Sequence, residues 1–196
     1  EYIQACAMWA RVFNYAAGIW GRAREAQMPA IFDMLGIPCV GSDSLTIALA
    51  LDKAWTKKVV AHAGFATPAF YTVDNSIQLE RMMENHELRY PLFVKPNAEG
   101  TSMGVTEQSV VRTIPELREQ LRLQLDRYQQ PILVERFIQG REVLVGIVGN
   151  PTPNGDVTDG LTFVPILEVD FKAFGEDHVG FYTSEMKTVL SPDNYY

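Results

Sequence analysis

The apolar positions in the first part of the chain recur with helical spacing. Residues 22–35 predict a helix that ends at Gly36. The apolar face of this predicted helix is formed by Ala26, Ala30, Ile31 and Met34. A short strand-like run lies between Gly36 and Gly41.

A longer helical stripe follows. Residues 42–64 predict one long helix that begins at Ser42 or Ser44 and stops at Gly64. Its apolar stripe is formed by Leu45, Ala48, Leu49, Trp55 and Val59.

The middle of the chain alternates strand-like and helical patterns. Residues 69–73 predict an extended segment, residues 76–86 a short helix, and residues 90–96 a buried strand that is broken by Pro96. A helix is then predicted up to Tyr128, because Thr113 and Glu116 have the spacing of a capping box. Its apolar positions recur at helical period at Leu117, Leu121, Leu125 and Tyr128.

Two further apolar segments lie after the helix that is predicted up to Tyr128. Residues 131–150 predict a β-hairpin that turns at Gln139 and Gly140, and residues 161–171 predict a further strand after a polar loop. The alternation of strands and helices predicts an α/β or α+β fold with helices packed on mixed sheets.

Composition narrows the range of partners. The chain has 196 residues, is 47% hydrophobic, and carries 17 basic and 24 acidic side chains. An acidic balance offers no general positive field for nucleic acid, so we expect no nucleic-acid partner, and an anionic ligand would need local cations. No apolar run approaches the length of a membrane helix, and Cys6 and Cys39 lack the spacing of a zinc site.

One segment carries a chemical signal. In VKPNAEGTSMGV, Lys95 ends an apolar strand and a turn between Gly100 and Gly104 follows. Glycine turns present backbone N–H groups to phosphate oxygens, although the standard P-loop places its lysine after the glycines. Taken alone, a surface lysine and an ordinary turn are the better interpretation. Glu135 and Glu142 flank the predicted hairpin, where they could accept from an adenine amino group and ribose hydroxyls.

Four ordered motifs change that balance. PCVGSDSLTIALALDKAWTK, YPLFVKPNAEGTSMGV, ILVERFIQGREVLVGIVG and FYTSEMK together resemble the D-alanine:D-alanine ligases and their ligase-like relatives in the ATP-grasp superfamily. The resemblance runs from about Phe13 to the end of the chain. It implies a partial ATP-grasp fold after the end of an N-terminal α/β substrate domain. The implied division is 1–51 for that domain, 52–142 for a small subdomain with a lid loop, and 143–196 for the start of a C-terminal subdomain.

The resemblance also implies a set of site residues. Lys53, Lys95 and Lys187 would contact phosphates, and the lid would place Thr101 and Ser102 on the substrate side as the candidate catalytic groups. Lys57 and Lys58 are expected to face solvent. The full set expected to bind the nucleotide is Lys53, Lys95, Glu99, Gly100, Thr101, Ser102, Glu135, Arg136, Phe137, Ile138, Glu142, Phe181 and Lys187.

The implied reaction joins two D-alanines for peptidoglycan precursor synthesis, with ATP and Mg²⁺, through an acylphosphate. The family's segments that supply a catalytic arginine and the metal ligands lie beyond FYxxExK, so we expect an incomplete ligase that lacks turnover. The protein is expected to be cytoplasmic, with no membrane partner, and a homodimer is left open for the full-length form.

Two departures keep other functions open. Many relatives have tyrosine where this chain has Thr188, and close relatives tend to have glutamate where Ala17 stands. A ligase for a different amino acid or dipeptide therefore remains an alternative, as does a nucleotide-binding module without catalysis.

Overall fold

The structure is a computed structural model, and it describes residues 11–84, 89–156, 158–169, 171, 181, 183, 184 and 186. These residues fall into two compact units, one within 1–137 and 183–196 and one within 138–182. The three-part division predicted from the sequence stays a prediction.

The first unit begins with a small parallel pair of strands. β1 (Val12–Phe13) pairs with β2 (Cys39–Val40), and α1 (Gln27–Met34) lies between them in the chain. Phe32 and Ile37 pack with Val12 in one apolar cluster. The predicted helical face is only partly correct, because Ala26 is buried whereas Met34 is exposed.

The predicted long helix is wrong, because the chain breaks it at Asp52. The two helices are α2 (Ser44–Leu51) and α3 (Lys53–His62). Asp43 caps α2 by accepting from the backbone N–H of Thr46, and Asp52 caps α3 by accepting from that of Trp55. An aspartate that accepts the first free N–H groups of a helix stabilises a new helix start, and the predicted N-cap serines do not have this role.

A four-stranded antiparallel sheet forms the body of the first unit. Its strand order is β3 (Phe70–Val73), β6 (Ile132–Arg136), β4 (Leu92–Pro96) and β5 (Val110–Val111). The predicted hairpin over residues 131–150 is therefore wrong. Both edges of β6 are already occupied by β3 and β4, so the pairing of β6 is determined by strands distant in sequence.

Two helices cover one face of this sheet. α4 (Ser76–Glu84) follows β3, and α5 (Ile114–Tyr128) follows β5. Thr113 caps α5 as predicted, and its leucines fill the core. The core cluster consists of Val73, Leu79, Met82, Leu92, Val94, Val111, Leu117, Leu121, Ile132 and Val134. Burying each of these side chains contributes about 1.5–3 kcal/mol before entropy is counted.

The second unit contains two short antiparallel pairs. β7 (Val143–Leu144) pairs with β10 (Leu167–Glu168), and β8 (Ile147–Gly149) pairs with β9 (Leu161–Phe163). The predicted strand over residues 161–171 is thus present as two pieces. Among the described residues, no helix is long and apolar enough to cross a membrane.

Candidate functional site

Because side chains alternate along a strand, the charged side chain of β4 lies on the face opposite the core. Val94 points into the core cluster, whereas Phe93 and Lys95 lie on the other face. The register places Phe93 opposite Glu135 of β6, so Lys95 and Glu135 are diagonal neighbours on that face. Lys95 Nζ lies 2.5 Å from Glu135 Oε1.

A second lysine reaches the same carboxylate from α3. Lys57 Nζ lies 2.6 Å from Glu135 Oε2, and the Lys57 side chain is 11% exposed. The prediction that Lys57 faces solvent is therefore wrong. Lys58 is exposed, and its Nζ lies 4.5 Å from the centre of the Trp55 ring. The signal that could have identified Lys57 is its i+4 spacing from Lys53, which places both lysines on one helix face.

Lys53 occupies the first turn of α3. Its Nζ donates to the carbonyl oxygens of Glu99, at 2.5 Å, and Asn97, at 3.4 Å. Burial, and after it the positive charge of Lys95, lowers the pKa of the Lys53 ammonium from 10.5 to about 8.

Lys53, Lys57 and Lys95 are called the lysine cluster below. Glu135 is the acid that pairs with two of them, Lys57 and Lys95. Burial alone would raise the pKa of its carboxyl group, but the charges of Lys95 and Lys57 outweigh burial, and the pKa lies below its usual value. Glu135 is thus ionised at neutral pH and holds two ammonium groups on one face of the sheet.

A buried asparagine fixes where α3 begins. Asn97 is 5% exposed, and its side-chain Oδ1 accepts from Ala54 N at 2.9 Å. The carbonyl oxygen of Asn97 also accepts from Lys53 N at 3.1 Å, and Asn97 N donates to Pro131 O. The start of the lysine-bearing helix is therefore anchored to the end of β4.

The segment that leads into the glycine-flanked turn is held by side chains. Glu99 accepts from Arg24 at 2.6 Å and from Gln130 at 2.7 Å, and Arg24 also donates to the Ala98 carbonyl. The carboxylate of Glu99 is thus engaged by protein groups, whereas its backbone carbonyl holds Lys53. The nucleotide-binding role expected for Glu99 stays a prediction.

The turn itself has an unusual backbone. Thr101 and Ser102 have φ values of 50° and 58°, in the left-handed region. Such a conformation costs non-glycine residues roughly 1–2 kcal/mol each, and a β-branched residue adopts it least readily. Two backbone hydrogen bonds between residues three apart close the turn. Met103 N donates to Gly100 O, and Val105 N donates to Ser102 O.

The far end of the turn is closely packed. Gly104 has φ 80°, and a Cβ atom there would lie 2.5 Å from Pro96 Cγ and 3.0 Å from Tyr128 Cε2. Gln124 is buried, and its Nε2 donates to the carbonyls of Val94 and Gly104, both at 3.2 Å. The turn is therefore joined to β4 and α5 on this side.

The remaining predicted residues are divided between the units. Arg136 is exposed, and Phe137 stacks on Phe93 with ring centres 6.0 Å apart. Ile138, Glu142 and Phe181 belong to the second unit, where Ile138 is exposed and Phe181 is buried. Lys187 and Thr188 lie outside the described residues.

Three carboxylates near the lysine cluster are paired with cations. Asp52 pairs with Arg22, Glu99 with Arg24, and Glu135 with the two lysines. Within the part of the chain that the structure describes, no group of three or more histidine, cysteine, aspartate or glutamate side chains could hold a metal ion. These acids do not fit a set of magnesium ligands.

The amino-acid sequence of this chain was compared with those of known proteins and protein families. Residues 59–170, more than half of the chain, match the family described as "D-ala D-ala ligase C-terminus". An uncharacterized protein of Sinorhizobium fredii is 35% identical over 139 residues, which cover 71% of this chain and 39% of that protein. A D-alanine–D-alanine ligase of Desulforamulus reducens is 30% identical over 174 residues, which cover 86% of this chain and 52% of that protein.

A solved structure gives the same result. The VanG D-Ala:D-Ser ligase from Enterococcus faecalis matches with a TM-score of 0.60 and 30% identity over 72% of this chain and 38% of its own. This chain therefore spans about half, or less, of the length of the curated relatives and of the solved protein that it matches.

Proposed function

The chain belongs to the D-alanine:D-alanine ligase family and has part of the ATP-grasp fold, and from this premise we propose that it forms the nucleotide-binding part of an ATP-dependent carboxylate–amine ligase. The observation that carries the proposal is the pairing of Lys57 and Lys95 with the buried carboxylate of Glu135, next to the partly buried ammonium of Lys53, whose pKa the charge of Lys95 helps to lower.

The electrostatics of this cluster suit a triphosphate. The ammonium groups of Lys57 and Lys95 pair with the carboxylate of Glu135, and the depressed pKa of Lys53 is the consequence of burial and of repulsion by Lys95. A bound polyphosphate would relieve that repulsion, because several of its oxygens carry negative charge. Lys53 and Lys95 are the proposed phosphate ligands from the described residues, and Lys187 is the proposed third.

The other proposed contacts follow the sequence motifs. Glu135 with the backbone of Arg136, Phe137 and Ile138 would contact the adenine, Glu142 the ribose, and Phe181 the face of the base. Glu99 and the turn from Gly100 to Gly104 would cover the phosphates, with Thr101 and Ser102 at its tip. The left-handed backbone at both of these residues supports a functional role, since such strain concentrates at ligand clamps.

The proposed reaction has two steps. A carboxylate oxygen of the first D-alanine attacks the γ-phosphorus of ATP, and the bond between that phosphorus and the β,γ-bridging oxygen breaks, which gives an acylphosphate and ADP. The amino nitrogen of the second D-alanine attacks the acyl carbon, the carbon–oxygen bond to phosphate breaks, and the nitrogen loses a proton to solvent. The lysines would stabilise the charge that develops on the transferring phosphoryl group.

Mg²⁺ enters this proposal as the ion that accompanies ATP. It would offset phosphate charge, which is its usual contribution to phosphoryl transfer. The carboxylates of Asp52, Glu99 and Glu135 are engaged with arginine and lysine, so they are not free to hold the ion.

The amino-acid substrates are proposed from the relatives that this chain resembles. D-alanine is the first candidate, in keeping with the relative from D. reducens. D-serine in place of the second D-alanine is the second candidate, in keeping with the similarity to an enzyme described as a D-Ala:D-Ser ligase. A product of either kind would serve peptidoglycan precursor synthesis in the cytoplasm, and a homodimer belongs to the proposal for the full-length form.

Binding and chemistry need separate tests. Titration of the 196-residue chain with ATP and Mg²⁺ in a calorimeter should show saturable binding, and the absence of binding would overturn the nucleotide site. The complete product of the gene, incubated with ATP, Mg²⁺ and D-alanine with or without D-serine, should release phosphate. Mass spectrometry should detect the matching dipeptide. Binding without any dipeptide would favour the non-catalytic module.

A further inference from the structure

Lys57 is held more completely than the other lysine that pairs with Glu135. Its Nζ lies 2.6 Å from Glu135 Oε2, donates to Thr67 Oγ1 at 2.8 Å, and lies 5.3 Å from the centre of the Phe70 ring. These groups come from β6, from the segment before β3, and from β3 itself. Lys57 is therefore built into the sheet face.

Lys95 is attached to Glu135 differently. Its ammonium lies 2.5 Å from Glu135 Oε1 and 5.2 Å from the centre of the Phe93 ring, and its side chain is 21% exposed against 11% for Lys57. Among the described residues, Glu135 is the only acid that pairs with Lys95. Lys95 is thus the more accessible of the two cations and gives up one ion pair if it turns to another anion.

We propose that Lys57 is a positioning residue that keeps Glu135 paired and in place while Lys95 moves from this carboxylate to a nucleotide phosphate. The proposal rests on the proposed function, because it assumes that Lys95 contacts the phosphates of ATP. It adds a role for a lysine that lies one helical turn beyond the expected phosphate ligand Lys53.

The physical reason is the cost of an unpaired buried charge. If Lys57 were absent, the departure of Lys95 would leave Glu135 as a buried carboxylate without a counter-ion, which is strongly unfavourable. Lys95 would then stay on Glu135, and the nucleotide would lose a phosphate ligand. With Lys57 present, one oxygen of Glu135 keeps its partner throughout.

The first test compares two ligands. In Lys57→Met, the Kd for ATP should rise roughly 10- to 100-fold, which is the range for loss of a charge-assisted contact. The Kd for adenosine should change much less, because adenosine has no phosphate to draw Lys95 away. Lys57→Arg keeps a cation and should restore most of the ATP affinity. The matched control is Lys58→Met on the same helix, which should leave both affinities unchanged.

The second test is a double-mutant cycle. Glu135→Gln removes the charge that Lys57 balances, so adding Lys57→Met to that variant should weaken ATP binding far less than it does in the wild type. Equal losses in both backgrounds, or equal losses for ATP and adenosine, would contradict the proposal and indicate a general structural role.

Further measurements distinguish a folding defect from a loss of ATP binding, and a failure of the proposed function from a failure of the role proposed for Lys57. If Lys57→Met fails to fold, Thr67→Val removes one partner of Lys57 while leaving every charge. It should raise the Kd for ATP by a factor of about 3 to 10 and leave that for adenosine unchanged. An unchanged ATP affinity in Thr67→Val would then count against the inference. A wild type that binds no ATP overturns the proposed function, whereas a wild type that binds ATP as tightly as Lys57→Met overturns only this inference.

Discussion

Lys95 Nζ lies 2.5 Å from Glu135 Oε1 across two paired strands, so the strand lysine of the candidate site is already paired with an acid. An ion pair of this kind holds both side chains in a defined place. Binding of an anionic ligand must therefore compete with Glu135 for Lys95.

The first prediction concerns Lys95 itself. Lys95→Met should raise the Kd for ATP roughly 10- to 100-fold, since charge-assisted contacts to phosphate contribute about 1.5–3 kcal/mol. The fold should persist, because Glu135 keeps Lys57 as a partner. Calorimetric titration measures the affinity and circular dichroism the fold. Arg122→Met, which removes an exposed cation that pairs with Glu119, is the control and should bind ATP like the wild type.

The second prediction concerns pH and Lys53. Because its pKa in the free protein is about 8, Lys53 loses its proton above that pH, whereas a bound triphosphate favours the ammonium form. ATP affinity should therefore fall as pH rises above 8, by up to about tenfold per pH unit. Titrations at pH 7, 8 and 9 measure this. Lys53→Arg should remove the dependence, and an equal slope in that variant would assign it to another group.

The same pKa shift has a defined consequence for stability. Between pH 8 and 10.5 the folded chain binds fewer protons at Lys53 than the unfolded chain, so this residue's contribution to the free energy of unfolding rises with pH across that window. Urea denaturation of the wild type and of Lys53→Met at pH 8 and 10 should show a larger gain for the wild type.

The third prediction concerns the tight end of the turn. Gly104→Ala should lower the free energy of unfolding by about 2–4 kcal/mol, since it adds a clash with Pro96 to a positive φ. Gly64→Ala is the matched control, because Gly64 has φ 86° with open space around it, and should cost about 1 kcal/mol. Equal losses in urea denaturation would mean that the contact with Pro96 relaxes freely.

Local pattern was enough to predict several elements of this fold. The strand that ends at Pro96 and the helix that Thr113 caps have regular apolar spacing, and their signals do not depend on distant residues. The pattern did not predict the helix break at Asp52, because apolar residues continue on both sides of it. The pattern also did not predict which strands pair with β6, because pairing between strands distant in sequence gives no local signal.

The candidate site shows the same division. Alternation along β4 is sufficient to place Lys95 on the face opposite the core, whereas the role of Lys53 is implied by the family resemblance and stays a prediction. The burial of Lys57 depends on Glu135, Thr67 and Phe70, which only the folded sheet brings together. Periodicity alone could not reveal that contact.

The last prediction joins the fold to the site through Asn97. Its side-chain oxygen accepts from Ala54 N, and its carbonyl oxygen accepts from the backbone and side chain of Lys53. Asn97→Ala leaves the buried Ala54 N–H without this acceptor, which costs about 1–3 kcal/mol. The start of α3 should then be less well fixed, so ATP affinity should also fall, by roughly 3- to 10-fold, in calorimetric titration.

An exposed asparagine provides the comparison for this effect. Asn75 also accepts a backbone N–H, from Gln78 at 3.0 Å, but it lies on the surface and far along the chain from the lysine cluster. Asn75→Ala should therefore cost no more than about 1 kcal/mol, with unchanged ATP affinity, because water replaces the lost acceptor. If Asn97→Ala lost stability but bound ATP normally, Asn97 would support the fold alone, and the position of Lys53 would not depend on it.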